Sequence, residues 1–152
     1  MSNARMNPIA STPTHVDNRQ LSANELADSL MATRQRTLGL VQAWHSALPT
    51  LQVPHSPELN PPLWELGHVG WFQEWWIGRS QQRTLGLACD PDHARLPSHL
   101  AGADALYNSS QVPHAGRWHL PLPKLADTLA YLAAVQADTL ALLQTADDTD
   151  TG

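Results

Sequence analysis

The stretch Leu63–Trp76 reads LWELGHVGWFQEWW and holds four of the chain's six tryptophans, a phenylalanine, two glycines, two glutamates and one histidine. Its apolar residues surround a helical projection almost completely, which predicts a helix buried among neighbours and not one lying on a surface. Asn60 followed by Pro61-Pro62 marks the start: a capping side chain, then proline where the missing N–H is harmless. This helix should run to about Gly78. Gly67 and Gly70, three apart, should let another helix backbone come close.

Outward from that stretch the chain reads as helix on both sides. Upstream, Ser22-Ala-Asn-Glu25 is a capping box, and Leu26, Leu30, Thr37, Val41, Trp44 and Leu48 follow along one stripe. That helix should stop near Leu48-Pro49, because the residue before proline resists helical geometry. Residues 51–60, with Pro54 and Pro57, connect it to the aromatic helix. Residues 79–123 show no sustained period, and a stretch this long predicts a functional excursion or short helices, with Asp104-Ala-Leu-Tyr107 as one such turn. A third helix is predicted from Pro123 to about Leu143, its stripe formed by Leu125, Leu129, Leu132, Gln136, Leu140 and Leu143. Residues 1–20 read as a disordered leader, 21–145 as a partial helical domain, and 146–152 as a frayed acidic tail. The fold class is all-α: an up-down bundle of three main helices with a long crossover, its fourth helix missing.

Composition narrows the function. Apolar residues make up 42% of 152, enough for a core. The net charge is −5 and no block of Lys or Arg occurs, which argues against nucleic-acid and anionic-membrane partners. No apolar run approaches the ~20 residues that span a bilayer, and residues 1–20 lack the apolar middle of a signal peptide. The single cysteine, Cys89, reads as a small loop residue in a reducing compartment. The expected location is cytoplasmic.

His68 is the one residue of the aromatic run with versatile chemistry. At helical spacing it shares a face with Trp64, Trp71, Phe72 and Trp75. Three employments are open: a packed neutral histidine bonded to a backbone carbonyl, a general base, or one ligand of a metal that other helices complete. Spacing alone favours the first. No histidine pair stands four apart, and His93, His99, His114 and His119 fall in the irregular stretch. Glu65 and Glu74 lie on different faces and read as capping or surface charges, or as partners of an arginine such as Arg79. The tryptophans could cage a quaternary ammonium, although a Trp stripe is more often core. No nucleophile elbow, phosphate loop or dinucleotide fingerprint is present.

The run Asn60-Pro-Pro-Leu-Trp-Glu-Leu-Gly-His-Val-Gly-Trp-Phe-Gln-Glu74 resembles the second helix of the N-terminal DinB-like domain of ergothioneine-type sulfoxide synthases. WELGHVGWFQEWW is especially similar to the branch that includes selenoneine synthases. Gly102-Ala-Asp-Ala-Leu-Tyr-Asn-Ser-Ser110 and Leu120-Pro-Leu-Pro123 extend the resemblance to about residues 22–144. It implies a two-domain enzyme whose helical bundle gives three histidines to a mononuclear non-haem iron. A second domain, like formylglycine-generating enzyme, supplies much of the pocket and a catalytic tyrosine. The implied reaction uses O₂ to join a thiol or selenol donor to the imidazole ring of N-α-trimethylhistidine. By its place in the Leu-Gly-His motif, His68 is the implied first iron ligand. The other two belong to an H-x-x-x-H motif on a fourth helix, expected directly after TADDTDTG. The resemblance therefore implies a fragment that lacks that helix and the second domain and is inert alone; the alternatives are a non-catalytic DinB-like helical module that associates with itself through its open seam, and a DinB-like thiol-transferase relative. The resemblance carries no metal role onto His93, His99, His114 or His119.

Overall fold

The computed structural model describes residues 21–149; the expected leader and the last three residues lie outside them. Four α-helices organise it: α1 (Ala23–Ala47), α2 (Pro62–Gln73), the single turn α3 (Ala103–Tyr107) and α4 (Leu125–Thr149). No residue among those described is in a strand. None of their helices is long and apolar enough to cross a membrane.

The capping box of α1 forms as its sequence predicts. The Glu25 N–H donates to Ser22 Oγ at 3.3 Å, and the Ser22 N–H to Glu25 Oε2 at 2.9 Å. The helix ends at Leu48, ahead of Pro49, with non-helical φ and ψ. Its predicted stripe is covered only in part. Leu26, Leu30, Thr37 and Val41 are half-buried, whereas Trp44 and Leu48 are exposed. The one buried residue of α1 is Arg34, which is not among the residues of the predicted apolar stripe. Arg34 Nε donates to Gln136 Oε1 on α4 at 3.1 Å, and Nη2 donates to Gln73 Oε1 on α2 at 2.8 Å. The Gln73 amide passes the chain on to Thr139 Oγ1 at 2.8 Å, so a buried polar thread joins α1, α2 and α4. Burial lowers the guanidinium below its usual range.

At the start of α2 the structure corrects the expectation. Pro61 holds the capping position and no side chain caps the helix. The Asn60 amide goes to the Glu65 carboxylate, and Asn60 Oδ1 accepts from Arg117 Nη1 at 2.7 Å. The helix reaches Gly78 as predicted, but its last turn, Glu74–Gly78, is a π turn. Burial is one-sided, contrary to the expectation of a helix enclosed on all faces. Trp64, Leu66, Gly67, Gly70 and Trp71 are buried, while Val69, Phe72 and Trp76 form an exposed apolar row at spacings of three and four. The elements described cover α2 on two sides: α3 against Trp64 and Trp71, and α4 against Leu66.

The glycines of α2 serve that packing in a different way from the one expected. A Cβ on Gly67 would stand 2.2 Å from Tyr107 Cζ, and one on Gly70 would stand 2.8 Å from Leu132 Cδ1. Each notch takes a side chain, not a helix backbone. The crossover carries α3 at the turn predicted there, plus 3₁₀ turns at Arg83–Ala88 and His114–Trp118. In α4 the buried row is Thr128, Tyr131, Leu132, Val135 and Thr139, of which the leucine stripe anticipated only Leu132. The helix turns Tyr131 inward because Glu74 waits there as a buried acceptor, and the leucines on either side become shoulders. It continues to Thr149, six residues past the predicted end at Leu143, through residues read as frayed tail.

These notches give a paired prediction. Gly67→Ala should lower unfolding free energy by about 2–3 kcal/mol, because the Tyr107 ring is fully buried and cannot retreat. Gly39→Ala, with nothing within 4 Å of the added carbon, should raise it by about 0.5–1 kcal/mol. Urea melts of the two variants measure both.

Candidate functional site

Trp64, His68 and Trp71 share one face of α2, and all three donate a hydrogen bond to α3. Trp64 Nε1 reaches Leu106 O at 2.8 Å, and Trp71 Nε1 reaches Asp104 Oδ1 at 2.8 Å. Between them His68 Nδ1 lies 2.8 Å from Tyr107 O. A one-turn helix cannot satisfy its own last carbonyls, so α2 does this for Leu106 and Tyr107. A carbonyl only accepts, so His68 Nδ1 carries a proton, and in the neutral ring Nε2 keeps its lone pair. Among the described residues Nε2 has no hydrogen-bond partner. The ring stacks on Trp64 at 4.7 Å and 11°, with Trp71 at 5.8 Å and 21° on its other neighbour position. The residue is half-buried. The arrangement therefore offers one oriented imidazole nitrogen, able to accept a proton or to bind a metal ion. A cleft of about 590 Å³ shares Trp71 and Phe72 with this histidine and continues to Trp75, Arg95 and Asn108.

Charge fixes α3 from its other end. Arg79 donates from Nη1 and Nη2 to the two Asp104 oxygens, at 2.6 and 3.0 Å. This two-pronged contact holds the Asp104 carboxyl below its usual range, helped by Trp71 and opposed by burial, and raises the Arg79 guanidinium. Glu74 is neither a capping nor a surface charge, being 2% exposed, but it is the arginine partner that the sequence reading offered as its alternative. It accepts from the Ser98 hydroxyl at 2.6 Å, the His99 N–H at 2.7 Å and the Tyr131 hydroxyl at 2.7 Å, with Arg79 4.0 Å away. Burial, and then the neighbouring Glu74, push the Tyr131 phenol upward, so it stays a donor. Glu65 stands three residues before His68, the Glu-x-x-His spacing used by metal sites in helical bundles. Its carboxylate is taken by Asn60.

The remaining candidates are scattered. His99 Nε2 pairs with Asp138 Oδ2 at 2.6 Å, and His114 Nε2 donates to Leu59 O at 2.9 Å. Neither joins His68, and among the described residues no three His, Cys, Asp or Glu side chains are grouped to hold a metal ion. The quaternary-ammonium cage does not form, because the chain's own guanidinium groups lie over the rings. Arg79 and Arg95 lie 5.2 and 5.0 Å from Trp75, Arg95 lies 5.5 Å from Trp76, and Arg117 lies 4.1 Å from Trp64. The residues that orient His68 were beyond sequence reasoning. A backbone carbonyl leaves no letter in a sequence, and Asp104 meets Trp71 across 33 positions.

The sequence pattern of the DinB superfamily matches residues 29–152. The chain belongs to the DinB superfamily. This DinB chain is also similar to hercynine oxygenase from Mycolicibacterium smegmatis, 33% identical over 133 residues, which is 87% of this chain and 28% of that protein. Similarity to hercynine oxygenase from Mycolicibacterium thermoresistibile is 34% over 129 residues, 84% of this chain and 26% of the relative. For the protein of that name from Mycobacterium tuberculosis it is 31% over 120 residues, 78% and 25%. The DinB chain thus spans about a quarter of the length of these curated relatives.

Two measurements probe the polar frame of the site. Glu74→Ala leaves three donors without their acceptor and should cost about 3 kcal/mol or more in a urea melt. The Asp104 carboxyl is depressed in the folded state, so its contribution is complete above the ordinary aspartate value near 3.8 and is lost as pH falls through the lower folded value. Because the Asp104 side chain is 46% exposed, solvent screening limits that contribution to about 1 kcal/mol. Asp104→Asn should remove this part of the acid limb in pH-dependent melts and leave the rest.

Proposed function

We propose that this chain is the N-terminal metal-site domain of an iron-dependent, O₂-using synthase that forms a C–S or C–Se bond on the imidazole ring of N-α-trimethylhistidine. The observation that carries the reading is the state of His68: Nδ1–H bound to the Tyr107 carbonyl and Nε2 free. Histidines that ligate metals are held in this way, with the second nitrogen donating to a carbonyl or carboxylate that fixes tautomer and ring. DinB membership and likeness to proteins named hercynine oxygenases support the same reading.

The residues fit the metal in part. His68 fits as one ligand, and a facial iron site needs about three from protein. The other two would come from an H-x-x-x-H segment that this sequence does not contain, and much of the substrate pocket from a formylglycine-generating-enzyme-like domain. When bound, iron supplies the activation of O₂. This chain's own part is to hold one ligand nitrogen in place, to wall it with Trp64, Trp71 and Phe72, and to keep its proton on Nδ1. Alone, the chain is catalytically inert in a reducing cytoplasm. A second reading, a non-catalytic module that associates with itself, draws on the exposed row Val69, Phe72 and Trp76 together with Leu40, Trp44 and Leu48 on α1.

An anaerobic Fe(II) titration of this chain should saturate below one ion per chain. In a protein that continues past Gly152 with H-x-x-x-H and the second domain, one Fe(II) should bind, and His68→Ala should weaken it at least 100-fold. That variant should also abolish O₂ uptake with N-α-trimethylhistidine and a thiol or selenol donor. Iron affinity that ignores His68→Ala overturns the reading. Tight one-to-one binding by this chain, lost in His68→Ala, overturns the claim that the site is incomplete. Sedimentation as a monomer at high concentration removes the second reading.

A further inference from the structure

His68 is restrained in two ways, and they do different things. The stacked tryptophans fix the plane of the ring but are indifferent to which nitrogen carries the proton. Only the carbonyl of Tyr107 makes that choice, and it does so only while α3 keeps it 2.8 Å from Nδ1. The placement of α3 therefore decides the tautomer. The C-terminal end of α3 is held by Trp64 and by the Tyr107 ring in the Gly67 notch. Its N-terminal end is held by Asp104, the single charged residue of α3, through two bonds from Arg79 and one from Trp71. Within this one turn the Asn108 N–H closes back onto Asp104 O at 3.1 Å, so a rotation at Asp104 is transmitted to the carbonyl of Tyr107. Arg79 is well placed for this task. It leaves the π turn after Glu74, its guanidinium is nearly buried, and its Nε also binds the Leu96 carbonyl, so the cation is fixed before it meets the carboxylate.

We propose that Asp104 is a positioning residue for His68, selecting through α3 the tautomer that leaves Nε2 free. The purpose of that selection rests on reading His68 as a metal ligand; the selection itself does not. Asp104 touches neither the imidazole nor any bound group, and its effect reaches them through one helical turn.

The test is a long-range ¹H–¹⁵N correlation spectrum of the histidine-labelled chain, recorded at about pH 8, above the ordinary imidazole range. Native His68 should be the Nδ1–H form. Asp104→Asn keeps the size and one oxygen for Trp71 but loses the charge that holds Arg79. It should raise the Nε2–H population at least several-fold with the far-ultraviolet dichroism unchanged, and Asp104→Glu should restore most of the native tautomer. If Asp104→Asn does not fold, Arg79→Lys, which replaces a fork with a point charge, should give the same mixture. Either variant melting lower with His68 still wholly Nδ1–H overturns the proposal, as does a native chain without that form. In the continuing protein Asp104→Asn should weaken Fe(II) binding about tenfold. Mixed tautomers beside iron binding that ignores His68→Ala would leave this proposal standing and remove the functional reading. An unchanged tautomer beside iron binding that needs His68 would do the reverse.

Discussion

A phenol ring seated where one helix lacks a side chain is the contact on which the rest of the molecule depends. Tyr107 fills the space over Gly67 and is wholly buried, which brings the C-terminal carbonyls of α3 within reach of Trp64 and His68. Without the notch, α3 would stand off from α2 by more than a hydrogen bond can bridge. The Trp64, Trp71, Ala103 and Tyr107 cluster, the stacking of the imidazole and the reach of Asp104 to Trp71 all follow from that approach. Burial pushes the Tyr107 phenol up to about 12, so the ring stays neutral in its slot at any physiological pH.

The polar interior works as stitching. Glu74 gathers the crossover through Ser98 and His99 and gathers α4 through Tyr131, so one carboxylate ties three parts of the chain. Arg34 plays the matching part between α1, Gln73 and Gln136. Such groups add little net stability over an apolar core of the same shape. They do fix register, because the acceptors of Arg34 Nε and Nη2 and of Tyr131 lie on other helices. The rotation seen is the one that pairs Arg34 Nε with Gln136, Gln73 with Arg34 Nη2 and Thr139, and Tyr131 with Glu74.

Helix existence and type were legible in the sequence, as were the capping box at Ser22, the stop at Pro49 and the turn at Asp104–Tyr107. These rest on local rules that neighbours three or four residues apart can enforce. Which face is buried was less legible. Counting leucines along α4 misses the Thr128, Tyr131 and Val135 row, since a buried carboxylate 57 positions away from Tyr131 sets the rotation. On α2 the apolar count predicted enclosure, and the described elements cover only part of the helix. His68 was visible as a residue of interest. What makes it chemically specific is a backbone carbonyl brought over from α3, which no spacing rule foresees.

The π turn at Glu74–Gly78 has a consequence in the arithmetic of the gene. Such a turn is an α-helix that has absorbed one surplus residue. Removing one codon there would leave a continuous helix of good propensity, with no proline gained and no core residue lost before Gln73. Because the turn already absorbs the surplus, everything beyond it would keep nearly its present angle around the axis, and Arg79 would still face Asp104. In this chain the π turn lets a helix carry one residue more without disconnecting the two ends of its histidine's support.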